Sequence, residues 1–592
     1  MPVERYARQS GLVAQDLLAD ARIALLGTGT ALPYLVQCLT LLGVGSRHGC
    51  IRLVGMARSV HEADLADQFL LCRDDLGEPL DQALALRAQE LNPTVHVEGD
   101  VAPGGGRELV LAVPRPAETA EASRYAVDVW GQVLPAAVRI GPEALPDATE
   151  EPGLLTAALG AVCGGLLAQA ALGELGALVA GPAVISQWAE ERLMVHAPGI
   201  GSATERLMSG GNPQPYLHGV LERLATADQS RAFTVQLDGL PERPRVTTVV
   251  DEDHVLASVV VREPGRTRSP LVVVPARRPP RRTPVCFWSP LDGVRPEDGG
   301  RLPDTWEPLP DRDARVLMCG AGALGGWAAG VLAASGALRH LTVVDLDDRV
   351  ERHNLNRQVL FRDGDIGAAK AERTAARLRE IDPDLRVDAL AAMIGPELLT
   401  APADINEAAL AGVPELRARV QETARLRTRW EEALHEATVL LSCPDNQQTR
   451  WTLNVLAERH KLPLVNGAVD GLTGRVHVCD PGTSSMCLVC WLGTSIADDP
   501  VRRSCTDVVD GVPIQSLVTS AAVVGAAQAA VLLATLAGAA DRVGRFHVWD
   551  GAGACLTGHR AGERDFSECP AHLGDPLSGT TDKEHDHGRS SA

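Results

Sequence analysis

The residues best suited to chemistry lie between positions 316 and 446. The stretch VLMCGAGALGG reads as a strand, a glycine turn and a helix. Gly320 and Gly322 let the backbone turn tightly and approach a phosphate, and Gly325 lets the helix pack on the strand. The free amides at the helix start favour an anion. The next strand, LTVVDLDD, ends in acid, where Asp345 can reach ribose hydroxyls. A turn and an acid alone would suit an NAD-dependent oxidoreductase. The residues after the acid argue against that reading. HNLNRQVLF supplies Asn354, Asn356, Arg357 and Gln358, DIGAAKAER supplies Lys370, and PDN supplies Asp445 and Asn446. Two cations and a further carboxylate suit a nucleoside triphosphate with Mg²⁺, because the cations meet phosphate charge and the carboxylate holds the metal.

A second group is thiol-rich. CLVC (Cys487, Cys490) is followed much later by CPAH (Cys569, His572). Two such pairs make a closed tetrahedral site for a structural Zn²⁺, with Cys555 competing with His572 as the fourth ligand. No thioredoxin-like pattern surrounds the CxxC, which argues against a redox pair. Cys319 and Cys443 abut the nucleotide motif and read as packing residues at strand ends. The 13 cysteines are scattered over a long chain and do not read as a disulfide framework.

The elements that must hold these residues are written twice. ARIALLGTGTAL at the start repeats the plan of ARVLMCGAGALGG. Gly27 answers to Gly320, Pro93 to Pro383, and Gln169 to Gln528. The second copy carries an insertion, mostly the helical-looking 397–437. The first copy lacks the nucleotide residues: Leu32 replaces the third glycine, Gly55 and Ala57 stand where acids are needed, Asp67 replaces the arginine, Leu80 the lysine, and Arg115 stands near the PDN position. It is preceded by RYARQ, which the second copy lacks. Each half lacks what the other retains, which predicts one composite site.

The ordered set GAGALG, DLD, NLNRQ, GAAKAE and PDN resembles the ATP site of the ubiquitin-activating-type adenylating enzymes and their bacterial relatives MoeB and ThiF. The resemblance is strong over about 310–575 and weak over 1–195. It implies that Asp345 and Asp347 hold ribose and Mg-ATP, that Asn356, Arg357, Gln358 and Lys370 contact phosphates, and that Asp445 binds Mg²⁺. It implies that Arg8 of RYARQ reaches the ATP across an interface. It also implies that Cys505, beside Arg502 and Arg503, accepts an adenylated C-terminus as a thioester; the alternative is an incidental loop cysteine. The expected reaction is adenylation of a ubiquitin-like protein, passed on to a conjugating enzyme, in a bacterial conjugation system with an antiviral role. The alternatives are activation of a sulfur-carrier protein or a natural-product peptide, or a noncatalytic scaffold. Two features depart from the fused ubiquitin-activating enzymes: no large cysteine domain and no ubiquitin-fold domain accompany the motifs.

The expected fold is α/β. Two Rossmann-like adenylation domains form a pseudo-dimer: an inactive one at 1–195, a β-rich connecting region at 196–305, an active one at 306–575 and a disordered tail at 576–592. With 592 residues and 45% hydrophobic content the chain can bury sizeable cores. A net charge of −20 disfavours nucleic acid as a partner. The apolar stretches 154–178 and 512–540 are rich in Ala and Gly and occupy equivalent places in the repeat. They read as buried helices rather than membrane spans. MPVERYARQ lacks an apolar signal core, so a cytoplasmic location is expected. Lysine is confined to Lys370, Lys461 and Lys583. That scarcity reads as GC-rich codon bias, or as avoidance of self-modification by a lysine-targeting pathway.

Overall fold

The computed structural model describes residues 5–9, 12–99, 108–144, 153–178, 280–301, 313–345, 349–399, 414–481, 487–492, 508–509, 512–513, 515–539, 543 and 546–559, with strands between 184 and 275. The first half opens with β1 (Arg22–Leu26), whose near-continuous apolar run suits a strand covered on both faces. It continues through β2 (Cys50–Val54), β3 (Val97–Gly99), β4 (Leu109–Ala112), β5 (Val129–Leu134) and β6 (Ala137–Gly141). β7 (Cys286–Trp288) joins this same sheet antiparallel to β6, across a long stretch of sequence. The order is β7-β6-β5-β4-β1-β2-β3, with β1 to β5 parallel. Its helices are α1 (Ala31–Leu42), α2 (Leu80–Leu91) and α3 (Thr156–Glu174).

The second half repeats this arrangement. β8 (Arg315–Cys319), β9 (His340–Asp345), β10 (Arg386–Ala391), β11 (Val439–Ser442) and β12 (Leu464–Asp470) are parallel. β13 (Thr473–Cys479), β14 (Phe546–Asp550) and β15 (Cys555–His559) follow antiparallel. The order β10-β9-β8-β11-β12-β13-β14-β15 is that of the first sheet extended by one strand. The helices are α4 (Ala323–Ala334), α5 (Lys370–Ile381), α6 (Pro414–Glu436), α7 (Gln447–His460) and α8 (Val518–Ala534). α6 falls in the insertion and spans part of the segment expected to be helical. Strands between 184 and 275 form a separate seven-stranded sheet.

The two halves share one core. α3 and α8 are apolar all round and buried along nearly their whole length, and they pack on each other. Both are long and apolar enough to cross a membrane by length and composition, but their windows are 94% and 78% buried within the fold, counting the short extension of α8. Gly165 explains the close approach: a Cβ there would lie 2.8 Å from a methyl of Val523. Beside this contact Tyr34 and Phe69 of the first half meet Trp327 of the second. Gln169 and Gln528 occupy answering places but do different work. Gln528 donates to Ser442 O and Val465 O (2.9 and 3.0 Å), tying β11 to β12. Gln169 reaches into the other half and donates to Gly551 O (2.7 Å).

Candidate active site

A cavity of about 310 Å³ opens where β8 and β11 end, at the carboxyl edge of the second sheet. A crevice there, between parallel strands whose connections run to opposite faces, is the usual ligand position of such sheets. Gly320 has φ +101°, and a Cβ would lie 2.6 Å from Cys443 O, so both the conformation and the space require glycine. A Cβ on Gly322 would meet nothing within 4 Å, because this residue faces the cavity at the start of α4. Gly325 does not line the cavity; its Cβ would collide with Gly320 O at 1.9 Å, so its role is packing of helix on turn.

Around this turn the cavity gathers Asp345, Arg357, Gln358, Lys370, Asp445 and Asn446. Asp345 ends β9 and accepts a hydrogen bond from the turn amide of Ala321. Lys370 is the first residue of α5 and is buried, as are Arg357 and Gln358. Gln358 Oε1 is buried and has no hydrogen-bond partner among the described residues. Asn446 caps α7 by accepting from Thr449 N (2.8 Å), which leaves Asp445 exposed just ahead of the helix. Asp347, Cys505, Cys569 and His572 lie outside the described residues.

Some sequence expectations change. Asn356 does not line the cavity. Its amide donates to Gln9 Oε1 (3.1 Å) and its oxygen accepts from Arg357 (2.9 Å), so it holds the arginine rather than facing the ligand space. Cys319 and Cys443 form part of the cavity wall. Burial pushes the Cys443 thiol up to about 12, and Cys319 is also raised by burial, so both are thiols and poor nucleophiles at neutral pH. Arg450 was not anticipated. It lines the cavity fully buried, donates to the Gly467 and Pro444 carbonyls, and is pushed down to about 10 by burial and by Arg475. Its place five residues after Asp445 was the available signal, but an arginine on a helix ordinarily reads as a solvated face.

RYARQ docks on the second half. Arg5 forms an ion pair with Asp363 and donates to Leu91 O (3.0 Å). Arg8 is buried, and its carbonyl accepts from Ser516 N (2.7 Å), a residue of the cavity wall. Arg8 itself is not among the lining residues.

The corresponding turn of the first half is closed by its own side chains. Glu118 accepts from Thr28 N (2.7 Å), Arg115 N (3.0 Å) and the Thr28 hydroxyl. Arg115 donates back to Thr28 O (3.0 Å) and to Asp64 (3.1 Å), and Arg58 grips Asp64 with two bonds of 2.6 and 2.7 Å. Glu118 thus meets the Thr28 amide as Asp345 meets the answering Ala321 amide, but beside it stand the paired charges of Arg115, Asp64 and Arg58.

Cys487 and Cys490 are buried with their sulfurs 3.7 Å apart. Among the described residues no group of three or more His, Cys, Asp or Glu gathers as a metal site. Cys555, the rival fourth ligand, lies on β15 beside Cys286 of β7.

Residues 311–571 match the ThiF family. The chain is 33% identical over 199 residues to the SAMP-activating enzyme E1 of Haloferax volcanii, covering 33% of this chain and 58% of that protein. It is 28% identical over 240 residues to the sulfur carrier protein ThiS adenylyltransferase of Escherichia coli, covering 40% and 78%. It is 46% identical over 89 residues to the ubiquitin-activating enzyme E1 2 of Arabidopsis thaliana, covering 14% and 8%. These relatives support an adenylating enzyme of the E1 type.

Proposed function

We propose that the chain adenylates the C-terminal carboxylate of a ubiquitin-like protein, using ATP and Mg²⁺ bound in the second half. The observation that carries this reading is the convergence of Gly322, Asp345, Arg357, Gln358, Lys370 and Asp445 on one cavity. The residues fit the nucleotide. Gly322 leaves open space at a helix start, and Gln358 presents a buried acceptor without a partner among the described residues. Asp345 suits the ribose hydroxyls, with Asp347 as the second acid of the motif. Arg357 and Lys370 oppose the charge of the phosphates, and Asp445, with Asn446 orienting it, suits Mg²⁺. Bound Mg²⁺ would supply neutralisation of polyphosphate charge, favouring attack of the carboxylate oxygen on the α-phosphorus with pyrophosphate as the leaving group. Arg8 adds a cation from the first half, so the two halves act as an intrachain pseudo-dimer with one working site.

In this reading Cys505 accepts the activated C-terminus as a thioester, and a conjugating enzyme takes it onward. Activation of a sulfur-carrier protein without a thioester is the second reading, and the match to the ThiS adenylyltransferase favours it. Cys487, Cys490, Cys569 and His572 hold a structural Zn²⁺. The 3.7 Å sulfur separation supports this, since Zn–S bonds of ~2.3 Å in a tetrahedron put neighbouring sulfurs about 3.8 Å apart. No nucleic acid or membrane enters this reading, and its setting is cytoplasmic. ATP–pyrophosphate exchange that depends on an added ubiquitin-like or sulfur-carrier protein tests the proposal. Exchange with neither class of protein would remove it.

A further inference from the structure

The seam between the two sheets holds a pair of thiols that adenylation does not use. β7 is the edge strand of the first sheet and β15 the edge strand of the second, and the two pack together. Around them, Trp288 Nε1 donates to His547 Nδ1 (3.1 Å), and Leu291 pairs with Val543 in an isolated bridge. Cys286 sits inside this seam. Its sulfur accepts from Leu556 N (3.4 Å) and lies 3.8 Å from Leu556 O, so it is fixed on the residue next to Cys555. Cys555 Sγ lies 3.9 Å from the same Leu556 O, so both sulfurs stand on one peptide carbonyl.

We propose that Cys286 and Cys555 are an oxidation site, closing to a disulfide that fastens the edge of the first sheet to the edge of the second in response to low-molecular-weight disulfides. The two sulfurs differ as an attacking and a resolving thiol must. Cys555 is partly exposed, and Cys286 is 1% exposed. The Cys555 thiolate attacks one sulfur of oxidised glutathione, forming a mixed disulfide and expelling one glutathione thiolate. Cys286 then loses its proton and attacks the Cys555 sulfur, expelling the second. Two protein thiols are oxidised and one small disulfide is reduced to two thiols.

The bond would join the strand that follows the connecting region to the last described strand. Cross-links that span long loops restrict the unfolded chain most.

The test treats the full-length protein with oxidised glutathione at pH 8 and reads peptides after alkylation and digestion. The expected result is a Cys286–Cys555 linked peptide, lighter by two hydrogens than its reduced parts, with no glutathione retained on either residue. In Cys286→Ser the reaction should stop with one glutathione on Cys555. In Cys555→Ser, Cys286 should remain a free thiol that is alkylated only after unfolding. Wild-type protein that keeps glutathione on Cys555 with Cys286 free would overturn the proposal. So would protein in which neither residue reacts, or in which Cys286 reacts in the Cys555→Ser variant.

Discussion

Gln9 accepts a hydrogen bond from the side-chain amide of Asn356 at 3.1 Å, and both residues are fully buried. Gln9 in turn donates to Gln15 (2.6 Å) and Leu42 O (3.0 Å) in the first half, while Asn356 accepts from Arg357 in the second. A chain of side-chain amides therefore runs from the core of one half to a cation at the cavity of the other. Gln9→Ala strands a buried donor, which costs about 1–3 kcal/mol. Gln9→Ala should lower the unfolding midpoint and weaken ATP–pyrophosphate exchange at subsaturating ATP. Gln9→Glu keeps the acceptor but sets a buried carboxylate oxygen against Gln15 Oε1 and Leu42 O, so it should not restore the exchange. Unchanged exchange in Gln9→Ala would show that the chain does not position Arg357.

Arg8→Ala and Lys370→Ala should each depress exchange by at least about tenfold, as loss of a cation acting on developing charge does. Full exchange in Arg8→Ala would sink the composite site. Leu80→Lys should not create a second site, because Gly55, Ala57 and Asp67 remain unsuited to a nucleotide. Nucleotide-binding stoichiometry should stay at one per chain.

Asp64 makes stability depend on pH. Burial raises it, but the hydrogen bond and charge of Arg58, the His61 amide and the charge of Arg115 together lower it below the usual carboxylate value. A carboxyl lowered in the folded state stabilises above its unfolded value of about 3.9, and that stability is lost as pH falls through the folded value. Asp64→Asn should be less stable than wild type at neutral pH, and the gap should narrow below about pH 4. Unfolding curves across that range that run parallel would contradict this.

One Zn²⁺ per chain is expected, structural because four protein ligands leave no open position. Metal analysis should give one equivalent for wild type and none for the double variant Cys487→Ser, Cys490→Ser. An equal content in both would place any zinc elsewhere.

Cys505→Ala should retain exchange with the cognate ubiquitin-like protein but form no thiol-sensitive adduct on a non-reducing gel. Asp445→Ala should lose both steps, since the adduct depends on the adenylate. An adduct that persists in Cys505→Ala would point to another acceptor. Exchange without any adduct in wild type would favour sulfur-carrier activation.

How much was legible in the sequence depends on how strongly each position is constrained. The glycine turn was readable because Gly320 needs a positive φ and Gly325 has no room for a Cβ. The positions of Lys370, at a helix start, and Asp445, between the end of β11 and a helix, were legible because the repeat gives a frame. The shared strand order of the two sheets has the same origin. β7 was not readable as part of the first sheet, since it is three residues long and its partner β6 ends at Gly141. The contacts of Asn356 with Gln9 and Arg357 were not legible, because a polar residue beside an arginine looks identical whether it faces a ligand or a neighbour. Glu118 was missed for a similar reason: its position says nothing until the turn folds back on it.

Glu118 has a consequence for how the two halves answer the cell. An anion carried on the chain is present at fixed local abundance, whatever the nucleotide pool. The Thr28 amide and hydroxyl therefore keep their carboxylate partner whatever nucleotide is in solution. If the second half binds ATP as proposed, that half would gain about 2.7 kcal/mol at a hundredfold excess over its Kd. That gain would reach the first half through the Gln9–Asn356 contact, which lies on the boundary between the two.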